Sequence, residues 1–189
     1  MDLMCQNNNL YRNFTAYQKA VIIYDLTYHF CDRFIGYGDR TKDQMIQAAR
    51  SGKQNIVEGK AASLTSSETH IKLLNVARAS FQELLVDFED YLRTRKLQIW
   101  ETSSAKVKAM RKLGIEHSDS DFFVRLAEER DDEIIANMII VLIHQEDVLL
   151  RKHIKKQLLQ FVDEGGFKES LTKARIEKRK QNNFVIHCH

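Results

Sequence analysis

Residues 44–59 of this chain read QMIQAARSGKQNIVEG, and this stretch decides the fold. Ala49 and Gly52 recur with Met45 and Ile56 at spacings of three to four, so the four residues share one face of a helix. Because that face carries small side chains, a neighbouring helix can approach this backbone more closely than a leucine-rich one. The stretch therefore predicts tightly packed helices and contains no chemistry of its own.

Composition indicates one main domain built from long helices. The chain has 189 residues, of which 43% are hydrophobic and 29% charged, as in ordinary globular proteins. It contains no proline, so little interrupts its helices. The longest nearly apolar run, residues 134–143, still includes Asn137 and is about half as long as a membrane span. We predict no membrane association.

The N-terminal residues and the cysteines predict a cytoplasmic protein. Residues 1–9 have neither the basic start nor the apolar core of a secretory signal. Cys5, Cys31 and Cys188 are odd in number and widely scattered, which fits no disulfide framework and no zinc spacing. Reduced thiols in a cytosol are the expected state.

Apolar residues recur at helical spacing in four long segments, and no strand-like alternation occurs. We predict helices over residues 14–34, 41–59, 67–97 and 121–162, with a break near residues 129–132 left open. Residues 102–120 are expected to be a connector with a short helical turn. The predicted fold is all-α, an antiparallel up-down four-helix bundle with a C-terminal helical extension. Its parts are a flexible lead-in (1–12), the bundle (13–162) and a basic C-terminal suffix segment (163–189).

The chain offers no recognisable catalytic, cofactor or metal site. It has no Glu-x-x-His pair for a di-metal carboxylate centre, no nucleophile elbow and no phosphate-binding loop. His144 stands among apolar residues and is expected to be a packed or boundary histidine. Residues 187–189 read His-Cys-His, but three adjacent residues cannot easily close a tetrahedral metal site. We therefore predict a protein that is not an enzyme and has no cofactor.

Three polar residues are expected to be structural: Asn55, Glu58 and Arg78. They lie close to small or apolar positions on two neighbouring predicted helices, where burial would require a polar partner. We hypothesise that Glu58 pairs with Arg78; a ligand site at these residues is the alternative.

These features resemble a bacterial four-helix-bundle family that includes proteins encoded in 23S ribosomal RNA intervening sequences and the accessory variability determinants of diversity-generating retroelements. The resemblance covers residues 17–100. It rests on the following stretches: Tyr17 to Ala20 and Ile23 to Thr27 in the first helix, Gln44, Ala48 to Ala49, Ser51, Asn55 to Ile56 and Glu58 to Gly59 in the second, and Glu68, Leu73 to Leu74, Ala77 to Arg78, Ser80 and Glu83 to Leu84 in the third. Residues 165–169 also resemble a C-terminal suffix found in one branch.

The chain departs from the family pattern in its second helix. Relatives usually carry a basic pair after the glutamine and Ile-Pro-Ser before the asparagine, whereas this chain has Ile46-Gln47 and Gly52-Lys53-Gln54. It also has Arg50 where an apolar residue is usual. The missing proline is expected to straighten this helix.

The resemblance implies a cyclic homo-oligomer, with pentamers known in the family, that has no enzymatic activity and in some members binds nucleic acid or a reverse transcriptase. A ring would repeat the same basic side chains and concentrate their field on RNA or DNA. Residues 151–189 carry ten Lys or Arg against four Asp or Glu, which fits such a surface or an ordinary solvated helix. The candidate nucleic-acid-binding residues are Lys42, Arg50, Lys53, Lys60, Arg93, Arg95, Lys96, Lys173, Arg175, Lys178, Arg179 and Lys180.

Two functions from different classes remain open. In the first, the oligomer binds nucleic-acid backbone without sequence preference, so that affinity falls as salt rises. In the second, it is a protein-interaction scaffold or accessory subunit with no direct nucleic-acid contact, in which a few large side chains anchor a protein partner. Tyr91 and Trp100 are the expected anchors.

Overall fold

The computed structural model describes residues 11–164, residue 172 and residues 175–179, and every described element is helical. Within residues 11–164 the helices are α1 (Thr15–Phe34), α2 (Arg40–Ala62), α3 (Ser67–Thr94), α4 (Ala105–Glu116), α5 (Ser120–Ala127) and α6 (Asp132–Glu164). Residues 175–179 are also helical. Most of the predicted lead-in and much of the suffix segment lie outside the described residues.

Four of these helices contact one another around a shared core. α2 packs between α1 and α3, and α6 closes the far side by packing against both α1 and α3. The short helices are peripheral, since α4 packs on α6 and α5 on α1. The buried apolar side chains of the described residues form this one core. They include Phe30, Phe81, Phe88 and Phe123.

The small-residue face of α2 lies against α3, as the sequence predicts. Met45, Ala49 and Ile56 are wholly buried. At Gly52 an added Cβ would lie only 2.6 Å from the Phe81 ring, so the ring of α3 rests directly on the α2 backbone. Glycine is required here because no other residue leaves room for the ring.

α1 buries a stripe that ends in an aromatic cluster. Phe30 lies 5.1 Å from Phe88 and 4.8 Å from Tyr91 between ring centroids, both in edge-to-face geometry, which is a favoured arrangement for aromatic pairs. Beside it Cys31 is fully buried, and this burial raises the pKa of its thiol to about 12.

The long C-terminal helical segment is broken at the place that the sequence left open. α5 ends at Ala127 and α6 begins at Asp132. The connector before α5 is more regular than predicted, because residues 105–116 form a full helix, α4, with Val107 and Met110 buried. Their spacing of three places both on the face toward α6.

Asn137 fastens the connector after α3 to α6. It is almost wholly buried, and its amide nitrogen donates to the carbonyls of Gln98 and Glu133, at 2.8 Å each. Its amide oxygen accepts from the backbone N–H of Trp100 at 2.7 Å. The one polar residue within this apolar run therefore makes three hydrogen bonds.

Candidate nucleic-acid interface

Three basic residues of α2 lie in a line along its boundary with α1. Lys42 forms an ion pair with Asp32 at 3.1 Å. The Lys53 ammonium lies 3.7 Å from the centroid of the Tyr24 ring, and the Lys60 ammonium lies 4.9 Å from that of Phe14. At 1.5 Å per residue the line from position 42 to position 60 is about 27 Å long. We call these three lysines the α2 basic line.

Two of these lysines are partly desolvated, and neighbouring acids are already engaged. Desolvation lowers the pKa of Lys53 and of Lys60, and for Lys53 the nearby Asp25 opposes this shift. Asp25 accepts a hydrogen bond from the hydroxyl of Ser120, while Asp32 pairs with Lys42. Arg50 is exposed on α2 three residues before Lys53.

The opposite edge of α2 is acidic. Asp43 of α2 lines a groove with Glu83 and Asp87 of α3. Burial raises the pKa of Asp87, and the like charges of Asp90 and Glu83 raise it further. The α1 side of α2 therefore carries the basic line, and the α3 side carries this acidic groove.

The predicted basic residues at the end of α3 form a separate group. Arg93 pairs with Asp90 at 2.8 Å, the Arg95 guanidinium lies 3.7 Å from the Tyr91 ring centroid, and Lys96 has a left-handed backbone with φ of 59°. The pKa of Asp39 is lowered mainly by its hydrogen bond from the Thr41 N–H and additionally by Arg95. The end of α3 thus lies near the start of α2, far from Lys60.

The predicted basic residues of the suffix segment are described only in part. Arg175, Lys178 and Arg179 are exposed and lie in the helical stretch 175–179. Lys173 and Lys180 lie outside the described residues. The structure therefore brings Lys42, Lys53 and Lys60 together in one line, and the α3 group lies toward the Lys42 end of that line.

The hypothesised pair of Glu58 and Arg78 is wrong. Glu58 is exposed, whereas Arg78 donates from Nε to Asp147 of α6 at 2.9 Å. Asp147 also pairs with Arg151 at 2.8 Å, so α6 supplies the partner that was expected from α2. Arg78 faces α6 because α3 packs between α2 and α6.

Asn55 is structural but acts within its own helix. Its amide nitrogen donates to the Ser51 carbonyl at 2.8 Å and lies 3.3 Å from the Ser51 hydroxyl. That hydroxyl lies 3.0 Å from the Ser80 hydroxyl of α3. The three side chains form a small polar bridge across the α2–α3 contact.

Neither predicted anchor residue is free to bind a partner. Tyr91 is 6% exposed, and its hydroxyl donates to Asp132 at 2.8 Å. Trp100 packs against the core, with its indole nitrogen buried and without a hydrogen-bond partner, and the Lys106 ammonium lies 5.4 Å from its ring centroid. The sequence showed large aromatic residues near a helix end but not that the core uses them.

Two buried charged residues were missed from the sequence. Lys19 of α1 is 5% exposed and donates to the Gly114 carbonyl and to Gln145 Oε1. Glu146 of α6 is wholly buried, and neither carboxyl oxygen has a hydrogen-bond partner. Burial raises the pKa of Glu146 well above its usual value and lowers that of Lys19, while each charge partly offsets the other's shift.

A pair of histidines joins α3 to α6 and was missed as well. His70 Nδ1 donates to the Gly59 carbonyl at 2.6 Å, so its Nε2 accepts from His153 Nε2, 3.1 Å away. Burial lowers the pKa of both rings, and that of His153 falls to about 4 with help from His70, Lys60 and Lys156. The pair is therefore neutral near pH 7.

A metal cluster and a membrane-spanning helix are both absent from the described residues. Within them no group of three or more His, Cys, Asp or Glu side chains is placed to hold a metal ion. No helix in the described part of the chain has the length and apolar character needed to cross a membrane.

Comparison with known proteins finds no matching family model, no matching curated protein and no matching solved structure.

Proposed function

We propose that this chain is a non-enzymatic, oligomeric helical-bundle protein that binds RNA or DNA through basic side chains at the α1–α2 boundary. The observation that carries the proposal is the α2 basic line, in which two of the three lysines lie beside aromatic rings. Lysines contact the phosphate backbone, and aromatic faces stack on unpaired bases. A line of about 27 Å spans several nucleotides.

The bundle topology is part of the same proposal. We infer that α1, α2, α3 and α6 form an antiparallel up-down four-helix bundle, with residues 175–179 in a C-terminal helical extension. Support comes from the order of contacts between α3 and α6. His70 meets His153 near one end and Tyr91 meets Asp132 near the other, so the numbering of the two helices runs in opposite directions.

Family membership and assembly rest on the resemblance of residues 17–100 to the 23S rRNA intervening-sequence and accessory variability determinant proteins. By that resemblance the chain forms a cyclic homo-oligomer, a pentamer. Its odd number of widely scattered cysteines supports a place in the cytoplasm. Each copy in a ring would contribute one α2 basic line, which multiplies the field acting on one nucleic-acid strand. The suffix segment adds Arg175, Lys178 and Arg179 to the basic surface.

The first test compares two triple variants that remove the same charge. Arg50, Lys53 and Lys60 are replaced by Gln in one variant, and the exposed Lys72, Lys108 and Lys155 in the other. Binding of fluorescent single-stranded RNA and duplex DNA is followed by anisotropy over a salt series. We expect the α2 variant to bind single-stranded RNA roughly tenfold more weakly, with a salt slope shallower by about 2.

The control variant should retain most of the affinity, because its lysines lie on α3, α4 and α6. Equal losses in the two variants would contradict a surface located on α2. Binding that does not respond to salt would contradict the polyanion function itself. A variant with Arg175, Lys178, Arg179 and Lys180 neutralised measures the contribution of the suffix segment separately.

A protein-interaction scaffold is the second candidate, and one observation favours it. Leu158, Leu159 and Phe161 near the end of α6 are exposed by 46%, 57% and 38%. Adjacent exposed apolar side chains are typical of protein contacts. Absence of nucleic-acid binding at low salt, together with self-association or partner binding that is lost in Leu159→Glu, would favour this candidate.

A further inference from the structure

A cavity of about 430 Å³ lies between the start of α1, the end of α4 and the middle of α6. None of the three lysines of the α2 basic line belongs to its lining. Its volume is within the range of roughly 300–1,000 Å³ that small-molecule sites occupy. The nucleic-acid proposal makes no use of it.

Among the residues that the structure describes, every titratable side chain that lines this cavity is basic. They are Lys19, Arg111, His144 and Lys152. Arg111, His144 and Lys152 are exposed at the mouth, whereas Lys19 is 5% exposed and forms part of the inner wall. Because the described part of the lining contains no carboxylate, an anion entering the cavity is attracted by this lining from several directions.

Lys19 is held at the wall by fixed acceptors. Its ammonium donates to the Gly114 carbonyl and to Gln145 Oε1, which leaves one of its three protons free of these two partners. Behind it Glu146 is wholly buried and makes no hydrogen bond. Burial keeps the proton on Glu146 to a higher pH than usual, so this carboxyl competes weakly with an external anion for Lys19.

The remaining wall is apolar and open to solvent. Ile115 of α4 is 80% exposed and Val148 of α6 is 41% exposed, and Leu149 lies beside them in the lining. Large aliphatic side chains at a cavity mouth gain when the apolar part of a ligand removes them from water. The cavity thus presents an ammonium at its wall and an aliphatic surface at its entrance.

We propose that this cavity binds a small amphipathic carboxylate, whose acid group lies at Lys19 with Arg111 and Lys152 nearby, and whose apolar body covers Ile115 and Val148. The ligand carries a single negative charge, because one buried ammonium faces the cavity and the other cations are solvated. A medium-chain fatty acid or an aromatic acid has the required shape. This binding is independent of the nucleic-acid function.

Calorimetry on the full chain tests the ligand class with three probes. Octanoate carries both the acid and the apolar body, octanol lacks the charge, and acetate lacks the apolar body. We expect octanoate to bind at least roughly tenfold more tightly than either of the others. Equal affinity for octanol and octanoate would overturn the role of Lys19, and equal affinity for acetate would overturn the role of the apolar wall. No heat of binding with octanoate up to millimolar concentration would overturn the site.

A pair of matched variants locates the site. Val148→Glu places a carboxylate at the mouth of the cavity, whereas Val76→Glu makes the same change at an equally exposed valine on α3. We expect Val148→Glu to weaken octanoate binding roughly tenfold or more and Val76→Glu to leave it unchanged. Both residues are more than 40% exposed, so both variants should keep the helical circular dichroism of the parent. Identical affinity in the two variants would refute this location.

Discussion

The contact between α2 and α3 and the contacts made by α6 are built on different principles. α2 meets α3 through small residues, with Gly52 against the Phe81 ring. α6 instead brings polar residues to its neighbours, namely the buried Asn137 and Glu146 and the half-buried His153. Around Gly52 the first contact depends on shape and is insensitive to pH, whereas the second depends on hydrogen bonds and on protonation. Local sequence patterns predict a contact that depends on side-chain size, but they do not predict hydrogen-bond partners that come from distant parts of the chain.

The largest expected effect is a gain in stability from Glu146→Met. The pKa of Glu146 is raised in the folded protein, so its contribution favours folding below its ordinary pKa of 4.5 and is lost as pH rises above it. The cost grows by about 1.4 kcal/mol per pH unit until the folded pKa is reached. We expect Glu146→Met to be more stable by about 3 kcal/mol at pH 7 and by little at pH 4.

Urea unfolding of the parent and of the variant over pH 4–8 measures this gain. Glu58→Met is the matched control, because Glu58 is exposed and its removal should not change the pH dependence. If Glu146→Met destabilises the protein at pH 7, then Glu146 is a charged partner of Lys19 and its burial is not a cost.

Substitution of a second α6 residue, Asn137, should lower the stability instead of raising it. Asn137→Ala removes three hydrogen bonds to the connector and to its own helix, and leaves the buried amide partners unpaired. We expect a loss of about 2.5 kcal/mol in the free energy of unfolding. Trp100 fluorescence should also change, because its backbone N–H loses its acceptor.

The exposed Asn75 supplies the control for this variant. It too donates to the carbonyl four residues before it, at 3.1 Å, but it fastens no other segment. Asn75→Ala should cost less than about 0.5 kcal/mol. Similar losses in both variants would mean that the connector contributes nothing through Asn137.

The shape-dependent contact is tested by Gly52→Ala. The added Cβ would lie 2.6 to 2.8 Å from three atoms of the buried Phe81 ring, which must then move. We expect a loss of about 2 kcal/mol that does not vary with pH. In Gly36→Ala the new methyl group meets nothing within 4 Å, so the stability should stay near that of the parent.

A double-mutant cycle with Phe81→Leu sharpens the result. The smaller side chain should relieve the clash, so that the two substitutions together cost less than the sum of each alone. Additive losses would contradict the role of the Phe81 ring at Gly52.

The smallest expected effect is the acid response of the histidine pair. The pKa of His153 is lowered to about 4, so its contribution to stability is present above the ordinary pKa of 6.5 and is lost as pH falls toward 4. After allowance for solvent around this half-buried ring, we expect the parent to lose about 1 kcal/mol more than His153→Leu over that window. The exposed His144→Leu serves as the control, measured by the same urea titration. A parallel pH response in the parent and His153→Leu would contradict the role of the pair.

Helical periodicity in the sequence predicts α1, α2 and α3 nearly to their ends, because each buries a continuous stripe of apolar or small residues. α4 is longer than predicted because its buried Val107 and Met110 stand among Lys106, Lys108, Arg111 and Lys112, which hide the period. Only the α2 part of the candidate site could be predicted from the sequence, because helical spacing alone places Lys42, Lys53 and Lys60 on the same edge.

The spacing of the buried polar residues from apolar neighbours predicts their burial, although their residue types do not. Lys19 stands three residues after Ala16 and four before Ile23, both of which are buried. Glu146 stands four residues before the buried Leu150 and three after the buried Ile143. Position alone therefore places both residues on a core face, but their partners lie about a hundred residues away and cannot be predicted from local spacing.

The reaction rate of Cys31 with a thiol reagent measures how often α1 opens. A thiolate reacts with a disulfide reagent by attacking one of its sulfur atoms. The thiol of Cys31 is fully buried and its pKa is raised to about 12, so it does not react in the closed molecule. Its labelling rate therefore reports how often α1 separates from the rest of the core. Measured in each variant above, that rate distinguishes substitutions that loosen the whole molecule from those that release only the connector or the cavity.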